Sequence, residues 1–213
     1  MDRLRYQGPR RPRTGRLDPC LSQGPPLAEN IDLRRGLDQA TTCTSPSVYK
    51  SAIERLRQVF GHSIAVLPHD YGPYNRGEPE PSCYALAFGL AAVPRYLQLV
   101  AAALGPDGQQ PLNARVVTCL LAGKVLRRRR VASKIGDVVL YFAQGEVKHG
   151  GVVIAQRRIR SKWGRAEVHQ HGLWEVPLEY GDTAEVYLAP NPTRILAFVE
   201  TEVARKHLKN VVC

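Results

Sequence analysis

The hydrophobic period changes once along this chain, near residue 130, and that change limits the folds open to it. Upstream, SPSVYKSAIERLRQVFG carries a helix start at Ser45-Pro46-Ser47 and sets Val48, Ile53, Leu56, Val59 and Phe60 on one broad face, with Gly61 as the stop. HSIAVLP reads as a short strand and HDYGPYNRGEPEPS as an extended loop. A helix is predicted from Cys83 to about Leu104, kinked at Pro94 and ended by GPDGQQP, and another over NARVVTCLLAGKVL, residues 113–126. Downstream, GDVVLYFAQGEVKHGGVVIAQRRIRSKWG holds three short apolar runs separated by turn-formers, which predicts antiparallel strands. AEVHQHGLWEVP continues the alternation and YGDTAEVYLA supplies a last strand. Helices first and strands afterwards predict an α+β fold.

The 213 residues suit one domain with room for an appendage. Residues 1–46, rich in Pro, Gly and Arg, read as a flexible basic arm in which IDLRRGL has the pattern of a helical turn. The domain is predicted over 47–200 and a tail over 201–213. The net charge of +11 is concentrated at Arg10, Arg11, Arg13 and Arg16, at Arg34–Arg35, at Arg127, Arg128, Arg129 and Arg130, and between Arg157 and Arg165. Such a balance suits nucleic acid, an anionic membrane surface or an acidic partner, and equally serves solubility alone. No aromatic residues alternate with these runs as they do in a base-stacking platform. No apolar run is long enough to span a bilayer, and the first sixteen residues lack the apolar core of a signal peptide, so a cytoplasmic protein is expected. Five cysteines without CxxC spacing read as reduced thiols, with a Cys20–Cys43 disulfide open to an exported chain.

In EPEPSCYALAFGL an acidic, proline-bearing loop runs straight into Cys83 and a helical pattern. Ser82 or Cys83 then caps the helix, and the thiol lies beside unsatisfied N–H groups that favour thiolate or a developing oxyanion. The bland alternative is a small apolar residue at the start of a core helix. A nucleophile needs a base. His149 in EVKHGGVVI and His169 and His171 in EVHQH are the candidates, and the last two share one face of a strand. Taken singly, each is an ordinary surface or core histidine. A different reading takes Cys83, His149, His169 and His171 as zinc ligands. Ser-Lys-Trp-Gly reads as a hairpin end, with Gly164 at positive φ and Trp163 covering the sheet edge. Trp174, Tyr180 and Asp182 read as packing and turn residues.

The order CYALA, GDVVLYF, HGGVV, SKWG, the histidine of HGLWEVP and YGD resembles the NlpC/P60-like branch of papain-like cysteine hydrolases over residues 64–188. It is most similar to a bacterial group in which a second histidine follows the glycine of a Ser-Lys-hydrophobic-Gly hairpin by seven residues. Here Gly164 is followed at that interval by His171, which selects it over His169. The resemblance implies N-terminal helices packed on a small antiparallel sheet and a thiol peptidase, amidase, deamidase or acyltransferase acting on a peptide or protein. Cys83 would be the nucleophile, His149 the general base and His171 the residue orienting it, with no cofactor or metal. Tyr71, or alternatively Tyr74, matches an upstream tyrosine near the oxyanion. The competing reading keeps the papain-like fold without catalysis and makes the basic arm a nucleic-acid or partner-binding module.

Overall fold

Six strands form one antiparallel sheet, and each of its faces carries its own helices. The computed structural model describes residues 28–43, 45–60, 63–67, 81–103, 110–163 and 167–211. The strands are β1 (Ala65–Leu67), β2 (Val138–Ala143), β3 (Glu146–Ala155), β4 (Arg158–Lys162), β5 (Val168–His171) and β6 (Thr183–Tyr187), in the order β1-β5-β4-β3-β2-β6. The helices are α1 (Ala28–Thr41), α2 (Pro46–Phe60), α3 (Cys83–Ala87), α4 (Pro94–Ala103), α5 (Ala114–Ala122) and α6 (Pro192–Val211), with a 3₁₀ turn at Leu178–Tyr180. The fold is α+β, as the change of period predicts.

Side-chain alternation sorts the core into two layers. Val138 and Leu140 of β2 face a layer built from α3, α4, α5 and α6, with Phe88, Tyr96, Val117 and Ile195 at its centre. Val139 and Tyr141 face the other layer, built from α1, α2, Trp163, Trp174 and Tyr180. Register extends the second face across the sheet: Tyr141 pairs with His149, Gly151 with Ser161, and Ser161 with His169.

Four predicted elements change. The arm ends earlier than expected, because α1 is a core helix: Leu33, Leu37 and Ala40, spaced i, i+4, i+7, are buried against α2. Three apolar positions among charged neighbours make too narrow a stripe to stand out as a period. The core face of α2 consists of Tyr49 and Ile53, with Ala52, Leu56 and Phe60 at its margin, while Val48 and Val59 are 55% and 69% exposed. The single helix predicted after Cys83 is two, α3 and α4. The residue before a proline is pushed out of helical geometry, so Pro94 opens α4 as its first residue and does not kink a continuing helix. The predicted tail is helical to Val211 as part of α6, which Asn191 caps through the N–H groups of Thr193 and Arg194.

LRRRR lies at the β6 edge of the sheet. Its backbone runs beside β6: Arg128 bridges Tyr187, the Arg129 N–H donates to Val186 O at 2.8 Å, and the Leu188 N–H donates to Arg127 O at 2.9 Å. Arg129 pairs with the buried Asp137, and Arg128 with Glu185 at 2.9 Å. Arg127, Arg128 and Arg130 all remain exposed. Arg10, Arg11, Arg13 and Arg16 lie outside the described residues.

Because α1 is core, Leu37→Ala should lower unfolding free energy by about 2–5 kcal/mol in urea denaturation. A residue of a flexible arm would change it by no more than about 0.5 kcal/mol.

Candidate active site

Cys83 is the first residue of α3, and Ser82 is its cap. The Ser82 hydroxyl accepts from the Ala85 N–H at 3.2 Å and donates to Leu112 O at 3.0 Å, fixing the helix start against the chain before α5. The sulfur meets the N–H groups of Gly150, Tyr84 and Cys83 itself, with the Lys162 ammonium close enough to act on it electrostatically. Gly150 permits this approach. A Cβ there would stand 3.1 Å from the Tyr84 ring and 3.5 Å from Ala87, so a side chain would lift α3 off β3. The N–H groups expected beside the thiol are therefore present, but the expected acidification is not. Burial outweighs the N–H groups and Lys162 and pushes the thiol up to about 11, although the residue keeps some accessible surface.

His149 leaves β3 on the opposite face. The register slips between Tyr141 and Phe142: Tyr141 pairs with His149, while Phe142 pairs with Val147, so Lys148 is an extra residue. Val147 consequently packs into the α3 layer and His149 into the α1/α2 layer, although they are two residues apart. The His149 ring stacks on Tyr180 with centroids 3.9 Å apart and planes 8° from parallel, and Tyr141 lies 5.7 Å away. Its Nε2 is buried without a hydrogen-bond partner among the described residues. The thiol approaches β3 from the other side, at the amide immediately following His149. The two groups thus converge on one peptide unit from opposite faces of the sheet.

His171 shares the face of His149 but is already fully engaged. Its Nδ1 lies 2.7 Å from Gly172 O, which can only accept, so this nitrogen carries the proton. Its Nε2 then accepts from the Ser161 hydroxyl at 2.7 Å, and the Trp163 indole donates to Ser161 Oγ at 2.9 Å. With both nitrogens used, His171 does not orient His149 by a hydrogen bond, contrary to its expected role. It acts through space, helping burial to hold the His149 pKa well below the ordinary 6.5, and burial takes His171 itself to about 4. His169 lies between Tyr49, whose hydroxyl is 2.9 Å from Nε2, and Trp163, stacked at 4.2 Å and 5°. Trp163 is thus core and not an edge cover. Gly164, Tyr71 and Tyr74 lie outside the described residues.

These environments replace the expected thiolate–imidazolium pair with a neutral one. With burial pushing the thiol up to about 11 and holding the imidazole well below 6.5, proton transfer from sulfur to His149 is uphill at rest. The resting site therefore holds –SH and neutral imidazole. Among the described residues, no group of three or more His, Cys, Asp or Glu is arranged to hold a metal ion. Tyr180 is the site residue that sequence reasoning passed over as packing. Its signal, a tyrosine beside a Gly-Asp turn, is too common to be distinctive.

No protein-family model, curated protein or solved structure matches this chain. No helix among the described residues is long and apolar enough to cross a membrane.

Two outcomes follow from the titrations. Both imidazoles are harder to protonate folded than unfolded, so the unfolded chain binds more protons between about pH 4 and 6.5. Stability is accordingly full above that window and falls as pH drops through it, by about 3 kcal/mol from His171 alone. Urea unfolding from pH 7 to 4 should show this slope, and His171→Gln should remove its share. Second, haloacetamide modification of Cys83, followed by mass spectrometry of its peptide, should keep accelerating through pH 9 toward the thiol's value near 11. A plateau below pH 8 would mean an acidified thiol.

Proposed function

We propose that this chain is a papain-like, NlpC/P60-type thiol hydrolase or acyltransferase acting on a peptide or amide bond, with Cys83 as nucleophile and His149 as general base. One observation carries the reading. A thiol at a capped helix start rests on the Gly150 N–H, one residue from a buried imidazole whose Nε2 has no partner among the described residues. A structural cysteine needs no such neighbour, and a structural histidine would ordinarily have its buried nitrogens satisfied.

The resting energy gap places activation at substrate binding. An amide entering the site brings polar groups to a desolvated thiol. Because sulfur and imidazole rest on opposite faces of the sheet, binding must also bring them to one side of β3, and the proton then passes from sulfur to His149 as the S–C bond forms. The carbonyl π electrons move to oxygen, where the N–H groups of Cys83 and Tyr84 stabilise the charge. Collapse expels the amine, which takes its proton from His149 and leaves an acyl-thioester. A water that gives a proton to His149 then attacks the thioester, releasing acid and restoring the thiol. An acceptor amine in place of water gives acyl transfer, and a glutamine side chain as substrate gives deamidation. The resemblance implies an upstream tyrosine near the oxyanion, Tyr71 or alternatively Tyr74, both of which lie outside the described residues.

The neutral pair and the fully occupied His171 favour a second reading, a papain-like domain that has lost catalysis and binds a partner through its basic segments. A peptide vinyl sulfone separates the two. Under the first reading it labels Cys83, Cys83→Ala abolishes labelling, and His149→Ala slows it by about 100-fold. Equal labelling of wild type and His149→Ala would leave only the binding reading.

A further inference from the structure

Arg34 has no exposed surface, although it lies in a segment whose composition reads as an arm. Its Nε donates to Val176 O at 3.1 Å, its Nη2 to Pro177 O at 3.4 Å and to Gly181 O, and its guanidinium lies 5.6 Å from the centre of the Trp174 ring. Those three carbonyls bracket the 3₁₀ turn Leu178–Tyr180, so one side chain grips both of its ends. Asp38, also on α1, adds a second tie by accepting the Glu179 N–H at 3.0 Å. The turn is tight on its far side too. Gly181 sits at φ +104, and a Cβ there would fall 1.9 Å from Phe142 O. Between these fixed points stands Tyr180, buried, with its ring on His149.

A guanidinium taken wholly out of water loses several kcal/mol of hydration, and carbonyl acceptors return only part of it. Packing alone would be served by an apolar side chain of similar volume. A planar, forked donor offers something an apolar chain does not, a fixed direction toward several acceptors. The His149 Nε2 has no hydrogen-bond partner among the described residues, whereas its ring lies flat on Tyr180, so stacking is the contact that orients its plane, and the stacking partner is set by the turn.

We propose that Arg34 is a positioning residue: it fixes the turn that presents Tyr180, and Tyr180 fixes the plane of the His149 imidazole. The consequence for catalysis rests on the role given to His149 above, whereas the clamp itself does not. Helix α1 thereby belongs to the site, 115 positions upstream of the base it aligns.

The test is NMR of the full chain labelled with ¹³C-histidine, in which the His149 ring signal is assigned by its loss in His149→Gln. A parallel stacked ring displaces that signal upfield. Tyr180→Leu should abolish the displacement, and Arg34→Met should abolish it with Tyr180 intact. His169 and His171 belong to the Trp163 group and should stay in place. Should Arg34→Met not fold, Arg34→Lys is read instead, since it keeps the charge and loses the fork. A His149 signal at its wild-type position in the Arg34 variant would overturn the proposal. So would movement of all three histidine signals together, which is general loosening. Vinyl sulfone labelling of Cys83 in the same variants should slow about 10- to 100-fold. Loss of stacking with labelling unchanged would support the clamp and overturn the catalytic role of His149.

Discussion

The contact between α3 and β3 at Gly150 determines where everything else in the site lies. A hydrogen atom in place of a side chain lets Tyr84 and Ala87 settle onto the strand. That closeness in turn brings the Cys83 sulfur to the Gly150 amide. The extra residue at Lys148 completes the arrangement by rotating His149 to the other face, where Tyr141, Tyr180 and His171 surround it. Without the bulge, regular alternation would give His149 and Val147 the same face, and the imidazole would point toward the α3 layer. Two local backbone choices, one missing side chain and one extra residue, therefore set thiol and imidazole against one peptide unit from opposite faces.

Magnitudes decide the protonation state in which they rest. N–H groups at a helix start favour an anion by roughly 0.3–1 kcal/mol in exposed settings and up to about 2 kcal/mol when partly buried. Desolvation of a buried ionisable group costs several kcal/mol. The second outweighs the first at Cys83, and it acts on both histidines in the same direction, against charge. The site is thus arranged to keep all three groups neutral until something polar enters. A neutral resting pair is compatible with catalysis only if the substrate supplies the missing polarity, which ties reactivity to occupancy.

Much of the fold was legible because period is a local property. The change near residue 130, the strands that follow it and the α2 boundaries could all be read from spacing. Ser82 and Cys83 at a helix start were legible for the same reason, since caps are local chemistry. What escaped notice was non-local. Nothing in IDLRRGL shows that Arg34 is surrounded by carbonyls some 140 residues downstream. The bulge at Lys148 is invisible in EVKHGG, because a bulge is defined by the partner strand and not by its own sequence. The histidine face in EVHQH was read correctly, with His169 and His171 on one side of β5, yet their roles were not. Those depend on Tyr49, Ser161 and Trp163 arriving from other elements.

The same distinction applies to charge. Pairing Arg129 with Asp137 and Arg128 with Glu185 leaves the sum at +11, because each pair removes one charge of either sign. What changes is where positive potential is presented. Sequence shows four adjacent arginines as a single basic patch. In the fold, Arg129 is drawn in against Asp137 while Arg128 pairs with Glu185 at the surface, and Asp137 also accepts the N–H groups of Lys134 and Ala189. Arg34 goes further and presents nothing to solvent at all. Its charge does its work inward, on three carbonyls of one turn, and so belongs to the architecture of the site and not to any partner surface.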